Sequence, residues 1–209
     1  MDRSTLSFHD NLPRVIKEST NTKENIQGIE GPIVLVGHSY GGAVITNAVK
    51  TNENVKALVY VAGFAPDTGE TAVELSGRYP GSTLAPTLAS PVELPDGGKD
   101  LYIQQDKFHA QFAADVPAND AQLMASTQRP ITEAALNEAS DAPAWKSVPS
   151  WFIYGDRDLN IPAAVQSFMA ERANSNETVV VNGASHVVMV SHPDAVAEVI
   201  EHAATITVQ

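Results

Sequence analysis

"IVLVGHSYGG", residues 33–42, sets four apolar residues before a turn crowded with glycine. Ile33 to Val36 read as a strand covered on both faces. The next five residues, Gly37-His38-Ser39-Tyr40-Gly41, have the G-x-S-x-G spacing of a nucleophile elbow. In such a turn the serine sits in a strained backbone between strand and helix. Side chains on the flanking glycines are expected to collide with the neighbouring helix or strand. The turn pushes the Ser39 hydroxyl out at the C-terminal edge of the sheet. It also aims the amide N–H of Tyr40, at a helix N-terminus, toward a developing oxyanion. The bare string is weak evidence. The apolar strand before it and the helical spacing after it make it specific.

Outward from this turn, further apolar runs occur at Val55–Ala62, Trp151–Tyr154 and Thr178–Val181. Helical patterns separate them. Gly42 to Lys50 brings Ala43, Val44, Ala48 and Val49 to one side. Ala163 to Ala173 does the same with Val165, Phe168, Met169 and Arg172. Pro193 to Ala203 opens on proline and lines up Val196, Val199, Ile200 and Ala203. Strand alternating with helix predicts an α/β fold with a mostly parallel sheet flanked by helices. The 209 residues fit one domain. Residues 67–148 break the rhythm: prolines and Gly97-Gly98 come first, then helical stretches at 107–114, 118–126 and 132–139. This segment reads as a cap inserted over the sheet edge. Within it Phe108, Phe112, Leu123, Met124 and Trp145 are candidate pocket-lining residues, each also readable as plain core. Before the first strand, Leu12, Val15 and Ile16 suggest a short helix, followed by a polar run at 19–25.

A serine hydroxyl needs a base, and the chain offers six histidines. His38 adjoins Ser39 and, by strand alternation, is expected to point elsewhere and pack. His9 lies in an irregular start, His109 in the cap, able to line a pocket but expected to face water, His192 where the last helix begins, and His202 off that helix's apolar face. His186 differs. It stands in Gly183-Ala184-Ser185-His186, just past the strand ending near Val181, at the same sheet edge as Ser39. An acid is needed to fix the imidazole's tautomer. "YGDRDLNIP", residues 154–162, leaves a strand at that edge and carries two candidates. Asp158 lies further out and has room to reach the base. Asp156 can instead cap the turn or pair with Arg157.

Composition excludes other chemistry. There is no cysteine, hence no disulfide, thiolate catalysis or cysteine metal site. The net charge of −12 opposes nucleic-acid binding. No run approaches the ~18 apolar residues of a membrane span, and the first 30 residues hold no signal-type apolar block. The expectation is a cytoplasmic protein with no membrane partner.

Taken together, "GPIVLVGHSYGGAVITNA", "ALVYVAGFAPDTGE", "GDRDLNIPAAVQSFMAERA" and "GASHVVMVSHPDAV" resemble the bacterial esterases of the α/β-hydrolase fold. They are also similar to the plant methylesterase and hydroxynitrile lyase branch, through Phe64-Ala65-Pro66-Asp67. The order Ser39, Asp158, His186 is the order of that fold. The resemblance implies Ser39 as nucleophile, His186 as base, Asp158 as acid, a cap over 67–148, and cofactor-free hydrolysis of a small carboxylic ester. It carries two alternatives: a weakened homologue that binds a small ligand without turnover, or cofactor-free lyase or perhydrolase chemistry on the same residues. Members of the family carry several strands before the elbow, with a His-Gly loop that supplies a second oxyanion N–H. No such segment is recognisable in Met1 to Glu30, so the sheet is expected to be N-terminally incomplete and the Tyr40 amide to be half of an oxyanion hole. Ile33–Val36 would then form an open edge, which invites pairing with a second copy.

Overall fold

The computed structural model describes residues 22, 24–49 and 52–207. Its main sheet has four strands, β1 (Ile33–His38), β2 (Val55–Val61), β6 (Ser150–Gly155) and β7 (Glu177–Val181), in that spatial order. Every pairing is parallel. Helix α1 (Tyr40–Ala48) returns the chain from β1 to β2, and α6 (Ala163–Arg172) from β6 to β7. After β7 come the short α7 (Val188–Ser191) and the long α8 (Pro193–Thr207).

The strands alternate their side chains between two faces, and the central strands β2 and β6 are covered on both. Leu58, Tyr60 and Phe152 pack with Ile45 of α1, with Val49 just past its end, and with Val165 and Met169 of α6. Ala57, Val59, Val61, Trp151 and Ile153 pack against Val196, Val199 and Ala203 of α8. This two-sided burial is why β2 and β6 read as nearly continuous apolar runs, with exposed Lys56 the exception in β2. Each large side chain removed from water in this way stabilises by about 1.5–3 kcal/mol. Tyr60 and Phe152 also stack across neighbouring strands, with ring centroids 4.6 Å apart.

Among the described residues β1 pairs only with β2 and forms one edge of the sheet, where Val36 is 42% exposed. The expectations for His9, Leu12, Val15 and Ile16 fall outside the described residues. No helix among the described residues is long and apolar enough to cross a membrane.

Between β2 and β6 lie helices α2 (Ala72–Ser76), α3 (Gln105–Phe112), α4 (Ala118–Thr127) and α5 (Glu133–Asn137). Three very short strands also lie there, β3 (Val92–Glu93), β4 (Lys99–Leu101) and β5 (Ile131–Thr132), joined as an antiparallel sheet. The sequence reading anticipated α3 to α5 but no strand here, because two or three residues cannot display a period. The base of the segment is tied to the main body by charge. Arg172 on α6 donates to both Glu70 carboxylate oxygens and to the Ala65 carbonyl. Burial raises the proton affinity of Glu70, but the Arg172 hydrogen bonds outweigh it and hold the carboxyl below its usual value.

Candidate active site

Ser39 follows β1 directly and precedes α1. Its φ of 54° and ψ of −124° lie in a region that costs a non-glycine residue about 1–3 kcal/mol. The surrounding backbone enforces it. Ser39 N–H donates to the Ala62 carbonyl at 3.1 Å, and its own carbonyl accepts from Gly42 and Phe64, each at 3.0 Å. A Cβ on Gly37 would come within 2.5 Å of the Gly41 carbonyl, so glycine is required there. Gly41 is a correction to the sequence reading. A Cβ at that position meets nothing within 4 Å among the described residues, so it would enter open space.

Ser39, His186 and Asp158 meet at the C-terminal rim of the sheet. The Ser39 hydroxyl lies 2.8 Å from His186 Nε2, and His186 Nδ1 lies 2.7 Å from Asp158 Oδ2. Asp158 can only accept when ionised, so Nδ1 carries the proton and Nε2 is left to accept from the serine. Asp158 is 4% exposed and fully engaged. Its Oδ1 accepts from the Asn160 and Ile161 amides at 2.8 and 3.0 Å, and its Oδ2 accepts from Gln166 Nε2 at 3.0 Å as well as from His186.

The second acidic candidate has a different task. Asp156 Oδ1 accepts from the Gly183 amide at 2.6 Å and so fastens the histidine loop to the end of β6. The same loop is held by Arg157 N–H on the Ala184 carbonyl, at 3.1 Å. The two backbones approach so closely at Gly155 that any Cβ there would run into the Ala184 carbonyl.

His38 packs, as strand alternation suggested, but onto the site. Its Nε2–H donates to the His186 carbonyl at 2.9 Å, and the two rings are 4.8 Å apart. Burial, and secondly the neighbouring His186 ring, push the His38 imidazole down from 6.5 to about 4. In the unfolded chain this ring takes up a proton near 6.5; in the folded chain it resists until about 4. Unfolding therefore binds a proton between those values, and stability falls as pH drops through that window. Denaturant midpoints of wild type and His38→Gln at pH 7 and 4.5 test this. The acid-induced loss is expected to be smaller in the variant.

The other described histidines, His109, His192 and His202, make their hydrogen bonds elsewhere. His109 is half-buried within the cap, against the Val116 carbonyl at 2.9 Å, and does not stand out in water as expected. His192 contacts Ser191, and His202 pairs with Glu177 at 2.7 Å on the surface.

Of the expected pocket residues, Phe108, Phe112 and Met124 share one cluster with Val187 of the histidine loop. The Phe112 and His186 rings meet edge to face, with centroids 4.7 Å apart. Two other expectations are corrected. Leu123 is 65% exposed, on the outer side of α4. Trp145 belongs to the core beneath the sheet, where its indole N–H donates to the Pro66 carbonyl at 2.9 Å. Two contributors went unremarked in the sequence. Asn160 supplies backbone to Asp158. Gln166 is a polar residue on the buried side of α6, and the one signal it gave was its place beside Val165 on a face that turns inward.

Tyr40 is the first residue of α1, so the positive end of that helix's dipole lies beside Ser39. The arrangement as a whole can pass the serine proton to an imidazole, hold the resulting cation with a carboxylate, and offer a helix N-terminus to a negative oxygen.

A serine at an elbow, with acid and base following in that chain order, on a parallel sheet capped by an insertion, defines a class. A model of the Alpha/beta hydrolase family matches residues 3–199, and the chain belongs to that family. It is 28% identical over 182 residues to the Alpha/beta hydrolase nvfD of Aspergillus novofumigatus, covering 82% of this chain and 70% of that protein. It is 26% identical over 170 residues to the Alpha-hydroxynitrile lyase of Arabidopsis thaliana, covering 77% of this chain and 66% of the relative. Among solved structures it resembles polyneuridine aldehyde esterase, with a TM-score of 0.74 at 19% identity, over 88% of this chain and 77% of the other.

Proposed function

We propose that this protein hydrolyses small carboxylic esters through Ser39, His186 and Asp158. The observation that carries the reading is the continuous hydrogen-bonded chain from the serine hydroxyl through both imidazole nitrogens to a buried carboxylate, with links of 2.8 and 2.7 Å. His186 removes the hydroxyl proton as Ser39 attacks the ester carbonyl. Asp158 stabilises the imidazolium. The Tyr40 amide donates to the oxyanion at the positive end of α1. His186 then protonates the leaving alcohol. Water, activated by the same base, releases the acid and restores the serine. Phe112, backed by Phe108 and Met124, presents an apolar wall beside the imidazole and favours an apolar substrate group there.

A serine-directed fluorophosphonate tests the nucleophile. The expected result is one label per chain on Ser39, lost in His186→Ala. Full folding with no label on Ser39 defeats the proposal.

The likeness to a relative named as a hydroxynitrile lyase supports a second reading, cofactor-free lyase chemistry on the same groups. Product analysis separates the two. Hydrolysis gives an acid and an alcohol, whereas the lyase reaction gives a carbonyl compound and cyanide with no water consumed.

A further inference from the structure

Gln166 is fully buried on α6, against the carboxylate of Asp158. Its Nε2 donates to Asp158 Oδ2 and to the Ile161 carbonyl, both at 3.0 Å. Both partners are acceptors, so chemistry dictates that the nitrogen faces them. This leaves Oε1 buried with no hydrogen-bond partner among the described residues. A buried carbonyl without a partner is destabilising. An apolar side chain of similar shape would avoid that penalty, so the packing of α6 does not by itself account for an amide here.

The account lies in the atom it touches. Asp158 Oδ1 is fixed by two backbone amides, whereas Oδ2 is the oxygen that meets His186. Apart from His186 itself, the Gln166 amide is the one hydrogen-bond donor to Oδ2 seen among the described residues. Without it, the orientation of Oδ2 rests on the imidazole that it is supposed to orient.

We infer that Gln166 is a positioning residue: its N–H pins Asp158 Oδ2 in line with His186 Nδ1 and so sets the imidazole for Ser39. This rests on the hydrolase reading above. The contribution differs from general packing, because it acts through one carboxylate oxygen and should vanish when that oxygen is gone.

The test uses Gln166→Met, which removes the donor at similar volume, and Gln166→Glu, which keeps the shape. With a short-chain aryl ester, Gln166→Met is expected to lower kcat about 10- to 100-fold, the size of effect expected from misplacing a reacting group by about 1 Å. KM should stay within about twofold, since no substrate contact is lost. In an Asp158→Asn background the same substitution should cause no further loss. Gln166→Glu should retain more activity at acid pH, where its carboxyl is protonated and can donate to Oδ2. It should lose activity as pH rises and two carboxylates oppose each other, so its optimum shifts to lower pH than wild type. This second variant decides the matter if Gln166→Met fails to fold. A kcat within twofold of wild type for folded Gln166→Met, or equal losses in both backgrounds, overturns the inference. So does an unshifted optimum for Gln166→Glu. If these occur while Ser39→Ala is inactive, the hydrolase reading stands and only the role of Gln166 falls. If Ser39→Ala turns over like wild type, both fall.

Discussion

Ser39→Ala is expected to lower kcat for a short-chain aryl ester by about 10⁶-fold, the scale seen when the nucleophile of a serine triad is deleted, while the protein melts within a few degrees of wild type. Loss of the hydroxyl removes the attacking atom, and no neighbouring side chain takes its place. The base, the acid and the Tyr40 amide all remain, but with nothing to deprotonate they cannot build an acyl-enzyme. The fold should be indifferent to the change. The Ser39 side chain caps no helix, and the elbow is enforced by backbone bonds from Ala62, Gly42 and Phe64. Alanine meets the same positive φ with a side chain no larger than the serine's. Steady-state kinetics, the acyl-enzyme burst and a thermal melt on both proteins check this. A folded Ser39→Ala that keeps more than a small fraction of turnover removes Ser39 from the chemistry.

The parallel sheet was readable from its apolar runs, which burial on both faces explains for β2 and β6, although β1 and β7 leave Val36 and Val180 exposed. The cap was readable as an interruption, and its helices by their spacing. Its small antiparallel sheet was not, since β3 and β5 hold two residues each. In the candidate site the sequence placed three loops at one rim and favoured Asp158 over Asp156 by reach, without settling between them. They stand one and three residues beyond β6, and only side-chain direction separates the one holding Gly183 from the one meeting His186. Trp145 could be read as pocket or core, because an aromatic residue in a cap serves either, and the structure gives the core. Its hydrogen bond to Pro66, 79 residues away, is a tertiary fact with no local trace. His38 was placed by alternation alone, which gives a face but not the partner on it. Gln166 was hidden for a further reason. Helical periodicity marks apolar residues, and an amide turned inward leaves no periodic signal.

Asp158→Asn is expected to lower kcat/KM about 10⁴-fold, the scale of loss when the imidazole is held in the wrong tautomer. The local hydrogen bonds leave the new amide no better orientation. Two backbone amides, of Asn160 and Ile161, point at the Oδ1 position, so the amide oxygen must occupy it. The NH₂ group then falls at the Oδ2 position, facing Gln166 Nε2 and His186 Nδ1. Toward Gln166 it sets donor against donor. Toward His186 it becomes a donor, and Nδ1 must accept. The imidazole proton moves to Nε2, facing Ser39, and the nitrogen that should take the serine proton already carries one. Turning the amide over sets NH₂ against two backbone N–H groups instead, which is worse. The substitution thus inverts the base while hardly changing volume. Asp156→Asn supplies the contrast. It keeps an oxygen able to accept from Gly183 and leaves His186 untouched, so less than a tenfold loss is expected. Kinetics on both variants, with imidazole ¹⁵N shifts to report the tautomer, separate the two carboxylates. Equal, small losses would show that Asp158 does not set the state of His186.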